Sequence, residues 1–243
     1  MTASIHGLYI TLDQDWAPDW VVIRIATLLA EKRVRATWFI THDSEALEFL
    51  RSHPDLFELG IHPNCLQGST QGEDERSVLS NLKAIVPEAV CMRSHSLYQH
   101  SRFLRMAAMD FGIRIESNVF LPFHEHLRIT PHNYSPETTL YRAPMYWADD
   151  YFATGEPLSW DVDRLGLHGP GLKVVAFHPI HLAVNTSSIT AYRALNLTDI
   201  PKLSEADAAG MAGDKPGAMN LFTQLLDRHG LEAKKLSESI EPQ

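Results

Sequence analysis

Cysteine is scarce in this chain: Cys65 and Cys91 are the only two in 243 residues, and they form no Cys-x-x-Cys pair. That excludes a disulfide framework and leaves free thiols in a reducing compartment as the expectation. Positive charge is in deficit. Lys and Arg number 21 against 30 Asp and Glu, a formal net charge of −9, and no Lys/Arg cluster runs against it. No nucleic-acid partner is expected from such a balance. No apolar run reaches the roughly 20 residues that span a bilayer. The opening MTASIHGLYI lacks a basic region followed by a long apolar stretch. A cytoplasmic protein without a membrane span is expected. Repeats, low-complexity tracts and linkers are missing too, so residues 1–243 are expected to form a single domain.

What is present is ordinary for a globular chain, 44% hydrophobic and 21% charged. Short apolar runs mark strand candidates at 7–13, 36–42, 56–62, 89–95, 113–120, 139–144 and 172–178. Amphipathic stretches at 19–32, 44–52, 74–85 and 101–111 lie between the early ones, with Val21, Val22, Ile25, Leu28 and Leu29 at helical spacing in the first. Ser44 reads as the N-cap before EALEFL, and 218–229 as a terminal helix followed by a polar tail from about 231. Residues 121–136 and 185–212 lack a regular pattern and read as long loops. Strands alternating with helices imply an α/β fold with a parallel sheet. Seven strands with no obvious edge point to a closed or nearly closed barrel, with a doubly wound open sheet as the alternative.

The stretch ITLDQDWAPDW poses the first chemical question. A buried strand ends in Asp13 and Asp15, two residues apart. Neighbouring carboxylates repel unless a cation compensates, and simple capping needs only one. Other strand candidates also end in polar side chains: His42, His62, Arg93 with His95, and His178 with His181. In parallel α/β folds the C-terminal strand ends share one face, where ligand sites form. Each residue alone is as readily a turn or capping residue, but their coincidence is not. Asp and His together suit Zn²⁺ or a similar divalent ion. With Asp15 on a cation, Asp13 is free to serve as a base.

These residues resemble the polysaccharide deacetylase family, carbohydrate esterase family 4, over about residues 7–230. The likeness is closest to the deacetylase-like proteins of lipopolysaccharide O-antigen clusters. It implies a distorted seven-stranded (β/α) barrel, a TIM-like arrangement. TLDQD matches the family's first motif with one residue inserted, implying Asp13 as catalytic base and Asp15 as metal ligand. His62 in LGIHPN matches the first histidine of the second motif, while Leu66 stands where its second is expected. RSHSLY supplies the Arg93 of the third motif, with His95 and Ser96 replacing Pro and Tyr. Strand alternation would set 93 and 95 on one face. His95 is then the expected third ligand, with Asn64 and His181 as competitors. YWADDYF loosely meets the fourth motif through Trp147, Asp149 and Asp150, and VVAFHPIH matches the fifth, with His178 as general acid.

The implied reaction is metal-assisted removal of an N-acetyl or related acyl group from an amino sugar, free or linked to a nucleotide or lipid. A bound divalent ion, Zn²⁺ by its donors, supplies the Lewis acidity. Asp13, oriented by Arg93, takes a proton from water, and the Ser96 backbone N–H helps hold the oxyanion. His178 protonates the leaving amine, helped by Asp149 or Asp150. Trp16, Trp147 and Tyr98 are candidate platforms for a sugar ring, with core or rim packing the competing role for each. Asn64, Ser96 and His181 complete the expected substrate contacts. Two other readings stay open: a metal-dependent hydrolase of cyclic imides or ureides, and a non-catalytic saccharide-binding protein on the same scaffold.

Overall fold

The computed structural model describes residues 7–150, 160–197, 199–213 and 215–240. Residues 1–6, part of the export-signal reading, and Tyr151 and Phe152 of YWADDYF lie outside the described residues. The apolar run Leu8–Asp13 forms strand β1, buried at every residue. Burial on both faces is the signature of a central strand in a covered parallel sheet. Helix α1 (Asp19–Glu31) then lays Val21, Val22, Ile25, Ala26 and Leu29 against the core. The pattern repeats through β2 (Ala36–Ile40), α2 (Ala46–Arg51), β3 (Phe57–Ile61), α3 (Glu75–Ile85), β4 (Cys91–Met92), α4 (Ser101–Phe111) and β5 (Ile115–Glu116). Strands β6 (Thr130–Asn133), β7 (Thr139–Arg142), β8 (Met145–Ala148) and β9 (Lys173–Phe177) complete the sheet. Helices α5 (Pro179–Ala183), α6 (Ile189–Ala194), α7 (Glu205–Met211) and α8 (Ala218–His229) follow.

The nine strands lie in the order β6-β7-β5-β4-β3-β2-β1-β9-β8. All neighbours are parallel except the β6–β7 pair. The sheet curls into a half-barrel. Its β8 edge swings back to the segment after β5: Met145 N–H donates to Val119 O at 2.7 Å, and Leu121 N–H donates to Met145 O at 3.0 Å.

Every strand candidate falls on a strand, but the described residues hold nine strands and not seven. Strand β6 was hidden because its residues are all exposed and one is Pro131, which reads as loop. Strand β8 begins directly after the 139–144 candidate ends at Pro144, and its four residues carry too short a pattern to stand out as a separate strand. Three further expectations need correction. Ser44 is not the cap of α2: Glu45 occupies the N-cap, no side chain bonds there, and the buried Ser44 hydroxyl has no partner. The 185–212 stretch is not irregular throughout, since it carries α6 and α7. Their length, six and seven residues, gives too few turns for a periodic signal. The segment after 230 is not a loose tail. Lys234 N–H donates to Leu8 O at 3.0 Å, Leu236 N–H donates to Thr37 Oγ1 at 2.8 Å, and Arg35 pairs with Glu238 at 2.9 Å. With Leu236 fully buried, the segment closes the N-terminal ends of β1 and β2. No helix among the described residues is long and apolar enough to cross a membrane.

Candidate functional site

The parallel strands carry their C-terminal ends to one face. Asp13 is the last residue of β1, and Gln14 behind it turns the opposite way, its Oε1 accepting from Thr41 N–H at 2.9 Å. Asp15 lies beyond the strand and reaches the cavity that Asp13 lines through the turn that follows. The chain then bends sharply: Asp15 and Trp16 both take left-handed backbone, at φ 40° and 56°. Such conformations are costly for non-glycine residues and cluster at functional sites. His62 follows β3, Arg93 follows β4, and His178 follows β9 as the N-cap of α5.

His95 arrives by a different route from the one the sequence suggests. Strand β4 stops at Met92, so alternation cannot carry 93 and 95. A 3₁₀ turn over His95–Leu97 does it instead, with His95 N–H donating to Pro63 O at 2.9 Å and with Ser96 and Leu97 left-handed at φ 53° and 54°. The result is a tight cluster. His62 Nε2 and His95 Nδ1 each lie 3.0 Å from Asp15 Oδ1, and one potential ligand atom from each of the three residues falls within 4.8 Å of the others. Burial pushes the Asp15 carboxyl up, but the nearby His62, then His95 and His178, hold it well below the usual carboxylate range.

The donor set fits a cation. His62 is buried, and neither of its ring nitrogens has an aligned hydrogen-bond partner, although Nε2 points to within 3.0 Å of Asp15. An orphaned buried imidazole is expensive unless something binds it. Two imidazoles and one carboxylate with an open fourth position form the donor set of a catalytic Zn²⁺ site.

Two charged pairs flank this cluster. Arg93 Nη1 donates to Asp13 Oδ1 at 2.9 Å, its Nη2 donates to Ser117 Oγ, and its guanidinium covers the Phe39 ring at 4.6 Å. On the other side Asp149 holds His178 twice, through the backbone N–H at 2.9 Å and through ring Nδ1 at 2.6 Å. Nδ1 is therefore the donor, and Nε2 faces the cluster, 3.5 Å from Asp15 Oδ2 and 3.9 Å from Asp13 Oδ2. Burial pushes the His178 imidazole down, but Asp149 outweighs it and keeps the ring well above its usual value. Asp149, pushed up by burial, is held low by His181 and His178. His181 Nδ1 lies 3.4 Å from Asp149 Oδ1, and its ring packs on Tyr192 at 4.5 Å. Asp149, His178 and His181 thus form a second cluster of potential ligands. The two hydrogen bonds already on Asp149 mark it as an orienting group for His178.

The cavity between these groups measures about 320 Å³. Asp13, Asp15, His62, His95, Ser96, Asp150 and His178 line it, with Leu97, Phe120, Met145, Ala148 and Ala176 as an apolar wall.

Several residues singled out in the sequence stand elsewhere. Trp147 is no platform: it is fully buried against Trp160 and Phe177. Asn64 does not join the cluster, because its Oδ1 accepts from Leu66 N–H in a local turn. Tyr98 donates to Glu75 at 2.6 Å, a bond that pushes its phenol up to about 12. His181 sits behind Asp149 and not in the cavity wall. Trp16 packs edge-on against His95 at 5.3 Å and steadies that ring. Leu66 is exposed, and no ligand replaces it at its own position.

Ser117 and Asn118 were missed. Asn118 Oδ1 accepts from Ser94 N–H at 2.7 Å, and Asn118 N–H donates to the buried Glu116. These bonds fix the end of β4, and hence Arg93. The signal was available: Ser117 and Asn118 follow β5 as polar residues follow the other strands, and the same strand-end rule identifies them.

Residues 10–196 match the model of a family described as WbmS-like, polysaccharide deacetylase. A crystal structure of a Bordetella bronchiseptica protein, described as a candidate polysaccharide deacetylase involved in O-antigen biosynthesis, is similar to this chain. The identity is 29%, the TM-score is 0.76, and the match covers 91% of this chain and 90% of that one. A Bacillus anthracis pseudoenzyme of carbohydrate esterase family 4 matches at 15% identity and TM-score 0.47, covering 97% of this chain and 65% of that one. No curated protein matches the chain.

Proposed function

The chain belongs to the WbmS-like polysaccharide deacetylase family, and from that premise we propose that it is a cation-dependent hydrolase that removes an N-acyl group, N-acetyl first among them, from an amino sugar. One observation carries the reading. Asp15, His62 and His95 converge on a cavity whose two sides hold a buried Arg93–Asp13 pair and an Asp149–His178 pair. The first gives a positioned base and the second a positioned acid, the two groups that amide hydrolysis needs. The curled sheet, with β8 returned to the segment after β5, supports reading the fold as the family's distorted barrel.

Asp15, His62 and His95 would hold the ion, with Zn²⁺ the best match to their donor types. When bound, it supplies Lewis acidity toward the amide carbonyl and a water of lowered pKa. The protein's own groups do the remaining work. Asp13 accepts the water proton, and Arg93, itself held by Ser117, fixes the direction of the Asp13 carboxylate. The Ser96 backbone N–H, presented by the left-handed turn, faces the developing oxyanion. His178 delivers a proton from Nε2 to the leaving amine, while Asp149 keeps the Nδ1 proton and the charged ring in place. Resemblance to the Bordetella protein supports a place in O-antigen assembly.

The test is elemental analysis of the purified protein followed by acetate release from a panel of N-acetyl hexosamines. Near-stoichiometric divalent metal with acetate release supports the reading. Saccharide binding without acetate, in protein that lacks metal, establishes the non-catalytic alternative instead.

A further inference from the structure

The charge around the cavity narrows the substrate class, an inference that rests on the hydrolase reading above. Among the described residues, the lining includes Asp13, Asp15 and Asp150 and no lysine or arginine. Arg93, the nearest guanidinium behind the wall, is almost sealed from solvent and is committed to Asp13 and Ser117. Asp150 is different from the other acids. It is exposed and stands on the cavity rim directly after Asp149, where its charge acts on the His178 imidazole. The remaining wall is apolar or small: Leu97, Phe120, Met145, Ala148 and Ala176, with Ser94 and Ser96. Arg93 is thus already matched by Asp13, and the charge that the rim turns to solvent is the carboxylate of Asp150.

We infer that the acylated sugar unit entering this cavity is uncharged, and that Asp150 is the specificity-determining residue that disfavours a phosphate on the same sugar. An amino sugar acylated at nitrogen and phosphorylated at the neighbouring carbon would bring that phosphate to the rim, where it meets Asp150 with no lysine or arginine among the described lining residues to receive it. Phosphate-binding sites rely on guanidinium groups, lysines or convergent backbone N–H groups, and among the described residues no guanidinium or lysine lines this mouth. The substrate class is therefore a neutral acylamino sugar unit within an oligosaccharide, any phosphate lying at least one sugar away. Direct nucleotide-diphosphate sugars, in which the phosphate is on the reacting unit, are disfavoured.

The experiment uses matched pairs on the full-length, zinc-loaded chain. N-acetylglucosamine, N-acetylgalactosamine and N-acetylmannosamine are each compared with their 1-phosphates, by acetate release and by calorimetric binding. The expected result is a kcat/KM for the neutral member about tenfold or more above its phosphate, the scale of one unscreened like-charge encounter near a protein surface. Asp150→Asn should shrink that ratio toward one, and Asp150→Lys should reverse it. Preference for the phosphates by the wild type, or a ratio untouched by both variants, overturns the inference. Absence of acetate from every pair counts against the hydrolase reading. The binding ratio on the same pairs then decides the charge screen by itself, tighter binding of the phosphates overturning it.

Discussion

Arg93 Nη1 stands 2.9 Å from Asp13 Oδ1, in a pair almost wholly shielded from water. Among the described residues, the other groups that can carry opposite charge near this pair are His62 and His178, each 3.9 Å from the Asp13 carboxylate. Asp13→Asn removes the base and leaves the guanidinium without its counter-charge. Acetate release is expected to fall by about 10²- to 10⁴-fold, the usual worth of a positioned base. Stability should drop by about 3 kcal/mol, as when a buried ion pair loses one partner. Metal content of the folded variant should be unchanged. Activity within tenfold of wild type removes Asp13 from the mechanism.

The ligand set is tested by metal affinity. His62→Ala and His95→Ala are each expected to weaken zinc binding by more than about a hundredfold, beyond the 10- to 100-fold typical of outer partners. Competition with a chromophoric chelator measures it. Normal affinity in His95→Ala would reduce the 3₁₀ turn to scaffolding and return the third position to an unassigned donor.

The Asp149–His178 pair makes stability depend on pH in a defined direction. His178 is held above its ordinary value, so its contribution is complete below about pH 6.5 and is lost as pH rises through the raised value. Asp149 is held below its ordinary value, so its contribution is complete above about pH 4 and is lost as pH falls through the depressed one. In metal-free protein, the stability gap between wild type and Asp149→Asn is expected to be widest between about pH 4 and 6.5 and to narrow on both sides. Urea unfolding across pH reads it, and a gap that is flat from acid to alkali contradicts the pairing.

Leu236 tests the closing segment. It is fully buried beneath the sheet, on the segment that crosses from Leu8 to Thr37. Leu236→Ala should cost about 2–5 kcal/mol of unfolding free energy and leave zinc affinity as it was. A change below about 0.5 kcal/mol, the range of an ordinary surface substitution, would show the segment to be dispensable.

The sequence carried the strands because burial on both faces forces continuous apolar runs, and β1 and β9 read directly. It did not carry β6, whose exposed residues make no hydrophobic pattern, or β8, whose four residues carry too short a pattern to stand out. Site residues at strand ends were legible because the parallel topology gathers them on one face. Those delivered by turns were legible only in part. His95 was named for a strand alternation that does not exist there, and it reaches Asp15 through two left-handed residues that no local pattern announces. Trp147 shows the opposite failure. An aromatic beside two acids looks like a sugar platform, yet its depth depends on Trp160 and Phe177, one of them 30 positions away.

The left-handed pairs Asp15–Trp16 and Ser96–Leu97 bracket the two loops that meet at the proposed ion. Backbone held in such a sparse region has few neighbouring conformations to wander into, so the carboxylate and imidazole it carries are aimed before any guest arrives. Little ordering is left for the moment of capture. A site built this way discriminates among ions by rigid geometry, and its empty and filled forms should superimpose closely.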